Sequence, residues 1–301
     1  MELTEEDKTL IEGYRRNELP KYPKPSVTAD IVAVRPAFNE VGDGNWRRNP
    51  VFGMELLLIQ RRQWPFRDCW ALPGGFCRED ESVETCANRE FKEETGLNTG
   101  YLIPVGVFSE PGRDPRSWVI SNAFVSVMGR GEGDNVHGGD DAKCACWFKI
   151  DNPVMCAGYF RIPMTNGSDT RFDIIGTYQS TEFDGGIVTS VEDSPLAFDH
   201  SRIIAQAFLR MLSYDPRRLT LFFLPEKFSL SEYIGIYQYL TKYSIDQKNM
   251  ANFRRQLTST GNSLLEPCDG ADDWEPQGRG HKLAKLYRRR GSAKLFKISL
   301  L

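Results

Sequence analysis

The chain has 301 residues, 40% hydrophobic and 26% charged, with a formal net charge of −3. That length corresponds to roughly two domains with ample apolar residue for a core, and the composition excludes a disordered or fibrous protein. No run of about 18 apolar residues exists, so no membrane span is expected, and the charged start MELTEEDKTLIEGYRRNELP lacks the apolar centre of a secretory signal. The seven cysteines are scattered and form no CxxC pair, which predicts reduced thiols in a cytoplasmic protein rather than zinc sites or disulfides.

Charge is unevenly divided. From Leu196 onward there are 17 Lys and Arg against 10 Asp and Glu, a local +7 that leaves −10 for the residues before it. An acidic front and a basic end suggest two jobs, against ordinary scatter of charge.

In chain order, residues 1–24 read as an amphipathic helical segment (about 4 to 16) followed by the proline-punctuated LPKYPKPS. VTADIVAV reads as a strand, NEVGDGNWRRNP as a polar loop, and GMELLLIQRR as a strand buried on both faces. A helix follows WALPGGF, capped by Ser82 or Asp80, running to about Glu94 and stopped by Gly96. YLIPVGVFS, WVISNAFVSVM and AKCACWFKI are further strands, so a mixed α/β sheet is expected. Residues 151–194 contain two short β-like runs and read as a hairpin insertion. Beyond 195 the period turns helical. LAFDHSRIIAQAFLRML, LPEKFSLSEYIGIYQYL (with Ser229-x-x-Glu232 as a capping box) and SIDQKNMANFRRQLTSTG (capped by Asp246) read as three helices. SLLEPCDG and KLAKLYRRR then read as two strands, completing the order of a winged helix-turn-helix over 195–301.

The stretch GGFCREDESVETCANREFKEETGL gathers Glu81, Glu84, Glu90, Glu93 and Glu94. On an ideal helix Glu90, Glu93 and Glu94 fall within an arc of about 100°, and like charges at i,i+4 cost roughly 0.2–0.5 kcal/mol per pair. Convergent carboxylates suit a hard divalent cation such as Mg²⁺, which would bind phosphate oxygens and acidify a water. Arg89 can reach Glu93, and Gly74 and Gly75 allow close backbone approach, so that a carbonyl could join the metal shell. A solvated acidic helix face is the competing reading.

Gly75, Glu81 and Arg89-Glu90-Phe91-Lys92-Glu93-Glu94-Thr95-Gly96-Leu97 together resemble a complete Nudix box, Gx5Ex7REUxEExGU. The resemblance implies an α/β/α sandwich with a mixed sheet over residues 25–194, and metal-dependent attack of water on a diphosphate. It further implies that Glu90, Glu93, Glu94 and Gly75 hold Mg²⁺ or Mn²⁺. Glu93 would share in acid–base work, Arg89 would brace the carboxylates and Glu81 would support the loop. LLLIQRR, WALPGGF, GVFSEPGRDPRSWVIS, GGDDAKCACWF and LAFDH are similar to the Nudix-related transcriptional regulators of NAD metabolism and their ADP-ribose pyrophosphatase relatives. Many such regulators have lost box residues, whereas this chain keeps them all. The expected ligand is therefore ADP-ribose or a similar nucleotide diphosphate, hydrolysed to AMP and ribose 5-phosphate or sensed as an effector.

In EPGRDPRSW, Arg113, Asp114 and Arg116 suit a diphosphate or ribose and Trp118 a base, unless the stretch is a charged turn. Asp140 and Asp141 offer a further carboxylate or a turn, and His137, His200 and His281 read as structural or surface residues. In the basic end, Lys248, Asn252, Arg254 and Arg255 share one helix, with Arg289 in the last strand and Lys294 and Lys297 after it. Such residues anchor phosphates and read base edges, so duplex DNA bound by a homodimer is expected, against a domain used only for dimerisation.

Overall fold

The computed structural model describes residues 4–39, 51–129, 132–139, 142–167, 170–181, 185–192, 196–242, 245, 247–258, 264–268, 274–276 and 283–290. Asp140, Asp141, Asp246, His281, Lys294 and Lys297 lie outside them, as does the side chain of Lys248.

The helices are α1 (Glu5–Asn17), α2 (Val83–Thr95), α3 (His200–Leu212), α4 (Pro216–Phe222), α5 (Leu230–Thr241) and α6 (Gln247–Thr258). The strands are β1 (Ser26–Asn39), β2 (Val51–Arg61), β3 (Trp70–Ala71), β4 (Gly74–Phe76), β5 (Tyr101–Phe108), β6 (Val119–Val127), β7 (Ala142–Ile150), β8 (Val154–Cys156), β9 (Tyr159–Thr165), β10 (Arg171–Gln179), β11 (Ile187–Val191), β12 (Phe228–Ser229), β13 (Leu265–Pro267), β14 (Trp274–Pro276) and β15 (Leu283–Arg289). Helix α1 opens with a Thr4–Asp7 capping box but buries no residue.

The large sheet runs β11-β10-β9-β7-β2-β1-β6-β5, with β3 on β2, β4 on β1 and β8 on β9. It is mixed, because β1 and β6 are parallel while their other neighbours are antiparallel. Side chains alternate across a strand, and β1 uses both faces. Ala29, Ile31 and Ala33 pack with Cys86, Ala87 and Phe91 of α2. Val32 and Val34 join Leu56, Leu58 and the α3 residues Ile203, Ile204, Ala207, Phe208 and Met211 on the other. Burial on both faces explains the unbroken apolar centre of β2. The result is the mixed sheet that the strand order suggested, in the α/β/α arrangement that the Nudix resemblance implied. The two β-like runs of 151–194 are β10 and β11, which pair with each other. Strands β8 and β9, absent from the sequence reading, precede them, and the four extend this sheet outward from β7 through the β7–β9 pair.

The C-terminal part holds α4, α5 and α6 with a small sheet ordered β12-β15-β13, and β14 also pairs with β15. Helix α3 differs from the sequence reading, which set it in this part. It packs on β11, β5, β1 and β6, and the Arg210 guanidinium donates to the Val105 carbonyl at 3.0 Å. An amphipathic stripe says that a face is buried, not what buries it. The first helix of the C-terminal set is instead α4, with Asp215 as N-cap and Pro216 at its first turn. The Ser229–Glu232 capping box on α5 is formed as read. All seven cysteines are free thiols. No helix among the described residues is long and apolar enough to cross a membrane.

Candidate functional site

The sharp turn into β4 creates the site. Gly74 has φ 153°, and a side chain there would strike the Ala29 carbonyl of β1 at 2.2 Å, so glycine is required. A Cβ on Gly75 would lie 2.5 Å from the Glu90 carboxyl carbon, which places this backbone directly against a box glutamate. Helix α2 then starts at Ser82, whose hydroxyl accepts from the Thr85 amide at 3.2 Å, and ends at Gly96 with φ 73°.

Arg89 is the hub of the glutamates. Its guanidinium donates to Glu81 at 2.6 and 3.0 Å, Glu90 at 2.6 Å, Glu93 at 3.0 Å and the Phe76 carbonyl at 3.1 Å. The Arg89 hydrogen bonds, with one from the Arg78 amide, hold the Glu81 carboxyl down to about 2. Burial instead raises the pKa of Glu90, against the pull of Arg89. Glu94 is buried and accepts from the Gly74 amide at 2.8 Å. Glu93 stays half exposed, bonded to Arg89 and 3.8 Å from Arg78.

Glu90, Glu94, Gly74 and Gly75 form one wall of a cavity of about 260 Å³. The opposite wall is built by residues far away in the chain. Asp30 shares the face of β1 that points toward α3, and there it meets the N-terminus of that helix. The Leu72 amide donates to His200 Nδ1 at 2.8 Å, so a neutral ring carries its proton on Nε2, which lies 3.9 Å from Asp30 Oδ1. Burial pushes the His200 pKa down to about 3 and raises that of Asp30. Ser121 donates a short hydrogen bond to the other Asp30 oxygen.

Arg113, Asp114 and Arg116 all line the cavity but differ in character. Arg113 is only 5% exposed and donates to Asp199 at 2.7 and 3.0 Å, with Asp30 at 3.6 Å. Burial opposes its charge most strongly of any one influence, but the bonds and charge of Asp199 together with the charges of Asp30 and Asp114 outweigh it, so its pKa is raised. Arg116 is 33% exposed, grips the buried Asp114 through two nitrogens, and lies over the Phe76 and Phe198 rings at 5.0 and 5.6 Å. Trp118 lies outside the cavity, whereas Trp64 and Phe198 line it. Sequence reasoning missed Asp30, His200, Trp64 and Phe198 as site residues. The LAFDH motif is the one signal that pointed toward His200.

At the other end of the chain, Asn252, Arg254 and Arg255 are exposed on α6, with Arg255 donating to Asn252 at 2.7 Å. Arg289 on β15 is exposed and lies 5.0 Å over the Phe222 ring.

Residues 48–160 match the NUDIX domain family. Over 98 residues the chain is 47% identical to an ADP-ribose pyrophosphatase of Methanocaldococcus jannaschii, covering 33% of this chain and 56% of that relative. The chain therefore spans little more than half the length of that enzyme. Over 285 residues it is 24% identical to the ADPR responsive transcriptional repressor NtrR of Acinetobacter baylyi, covering 94% of this chain and 88% of the repressor. A MutT/nudix family protein from Enterococcus faecalis has a related structure, with TM-score 0.62 and 28% identity over 94% of this chain and 93% of that one. Shewanella oneidensis NrtR complexed with a 27mer DNA shares the fold at TM-score 0.55 and 22% identity, over 89% and 94% of the two chains. The complete box on its helix–sheet frame lies within the residues, 48–160, that match the NUDIX domain family, and the fold as a whole, with further helices and a small sheet after that region, is shared with NrtR.

Proposed function

We propose that the chain is a divalent-metal-dependent hydrolase that cleaves the diphosphate of ADP-ribose, or of a closely related nucleotide derivative, giving AMP and ribose 5-phosphate from ADP-ribose. The observation that carries this reading is the shared cavity. Glu90 and Glu94 open onto the same space as Gly74, Gly75 and Arg116, while Arg89 fixes the box glutamates from behind.

Among the described residues no three His, Cys, Asp or Glu side chains are already gathered around a metal position. Two hard carboxylates on one cavity nonetheless suit Mg²⁺, which keeps several waters and takes few protein ligands. Glu90 supports this fit, because its burial leaves the ionised form short of positive charge. Glu90 and Glu94 would hold Mg²⁺ or Mn²⁺, with Glu93 and the Gly75 backbone alongside. The bound ion would neutralise diphosphate oxygens and acidify water. The remaining work falls to the chain itself. Arg116 is available to diphosphate oxygens, Trp64 and Phe198 offer faces for a base, and Asp30 with the His200 Nε2–H form an acceptor–donor pair for sugar hydroxyls.

The test is hydrolysis of ADP-ribose by purified protein with Mg²⁺, Mn²⁺ or excess chelator. Glu94→Gln keeps an acceptor for the Gly74 amide while removing a charge, so activity should fall by about two orders of magnitude or more with the fold intact. Turnover that survives either the substitution or the chelator would sink the proposal.

A second reading is favoured by α6, whose exposed Asn252, Arg254 and Arg255 can face a DNA groove. In that reading a homodimer binds duplex DNA through its C-terminal parts, with ADP-ribose as effector. Fluorescence anisotropy against DNA upstream of the protein's own gene cluster, with and without ADP-ribose, tests it. Equal affinity for that DNA and random DNA would leave the C-terminal part as a dimerisation module.

A further inference from the structure

A second cavity of about 390 Å³ lies on the far side of the large sheet from the box, where α3 and β2 meet α4 and α5. Its walls are apolar, built by Met54, Met155, Phe208, Met211 and Leu219. Tyr214, Tyr239, Thr241 and Lys242 break that lining; the Thr241 hydroxyl donates to the Tyr237 carbonyl at 2.7 Å, and Tyr239 and Lys242 stand together at the end of α5. The Tyr239 hydroxyl is buried without a hydrogen-bond partner, close to the Met54 backbone. Lys242, which closes α5 in the left-handed region at φ 55°, places its ammonium 4.4 Å over the Tyr239 ring. It has no carboxylate partner among the described residues. The nearest acid acting on Tyr239 is Asp151, which already faces Lys149 at 3.5 Å and is substantially exposed.

The buried hydroxyl is costly without a ligand, because with no partner it loses a hydrogen bond. Lys242 is exposed at the cavity edge, where its ammonium offers a charge to an anion bound there. The cavity falls in the size range of small-molecule sites, which pair apolar walls with a few placed polar groups. The donor count narrows the ligand. One hydroxyl and one ammonium match the two oxygens of a carboxylate, whereas a phosphate would bury acceptors with nothing to bond. Methionine-rich walls adapt to a flexible hydrocarbon body.

We propose that this cavity binds an amphipathic monocarboxylate, its chain among the methionines and its carboxylate on Lys242 and Tyr239. The site is formed jointly by the Nudix sheet, α3 and the C-terminal helices. Its occupant therefore contacts both parts of the chain at once, and biases their arrangement to the extent that it prefers one of them.

Isothermal titration of the full chain with octanoate and with octan-1-ol, equal in chain length, separates charge recognition from burial. Octanoate should occupy one site per chain and bind at least about tenfold more tightly than octanol, the scale of a charge-assisted hydrogen bond. Lys242→Met should erase that preference while leaving octanol binding unchanged. Met211→Trp, which fills the cavity, should abolish binding of both. Tyr239→Phe offers a milder loss of the polar end should Lys242→Met fail to fold, with circular dichroism as the check. Equal affinity for the two probes, or octanoate binding that survives Met211→Trp, overturns the proposal. So does a dimer that Met211→Trp converts to monomer, since the cavity would then be a subunit contact.

Discussion

His200 provides a quantitative test of how the second wall of the Nudix cavity is built. Its pKa is about 3 in the fold, against 6.5 for an unperturbed imidazole. A depressed value means that the unfolded chain binds more protons at mildly acidic pH. The contribution is fully present above pH 6.5 and is lost as pH falls toward 3. From the linkage relation, this residue alone removes about 2 kcal/mol of stability between pH 8 and pH 5, approaching a slope of ~1.4 kcal/mol per pH unit. Urea unfolding of the Nudix part at a series of pH values, wild type against His200→Asn, isolates the effect. Asparagine can still accept from the Leu72 amide but does not titrate, and the cost of the lost ring volume is the same at every pH. The variant should therefore be less stable at pH 8 yet lose about 2 kcal/mol less on acidification. Parallel pH curves for the two proteins, or an imidazole resonance of His200 titrating near its ordinary value, would refute the reasoning.

Gly75→Ala should displace the flexible end of Glu90 rather than the backbone, so metal-dependent activity should fall at least about tenfold while the melting temperature barely moves. Arg113→Ala and Arg116→Ala should separate. The first leaves the part-buried Asp199 and the buried Asp30 without their cation and should cost roughly 3–5 kcal/mol in denaturation. The second should weaken ADP-ribose binding by roughly 1.5–3 kcal/mol in calorimetry with little change in stability. Arg255→Ala should reduce discrimination between upstream and random DNA in anisotropy titrations, while Arg289→Ala should weaken both and lower the salt slope. Unchanged profiles in both would remove α6 and β15 from the DNA reading.

Much of the Nudix half is legible in the sequence because its signals are local. The Ser82 cap, the Gly96 stop and the spacing of the glutamates all sit within one helix and its flanks. The partners of Arg89 follow from the same short stretch. The opposite wall has no such spacing. Leu72 and His200 are 128 positions apart, and Arg113 finds Asp199 across 86. No periodicity announces these pairs, so Arg113 reads as a free ligand-binding cation until its buried partner is seen. Likewise α4 has only seven residues, too few for a periodic stripe, and its Asp215-Pro216 start was the single available signal. The strands β10 and β11 read as β-structure, but β8 and β9 do not, and the attachment of all four to the β7 edge depends on pairings between residues that share no local pattern.

The position of α3 sets where this chain can be cut. One end of the helix supplies Asp199 and His200 to the ligand cavity, and its length lies on the large sheet. A fragment ending before Leu196 would carry the whole Nudix box and still be a defective Nudix domain. Ile203, Ile204, Ala207, Phe208 and Met211 would be missing from the core, and Arg113 would face Asp30 without Asp199. Any excised domain, or any chimera that trades the C-terminal part for another, has to keep the chain through Leu212. Modularity in this protein begins one helix later than the charge boundary suggests.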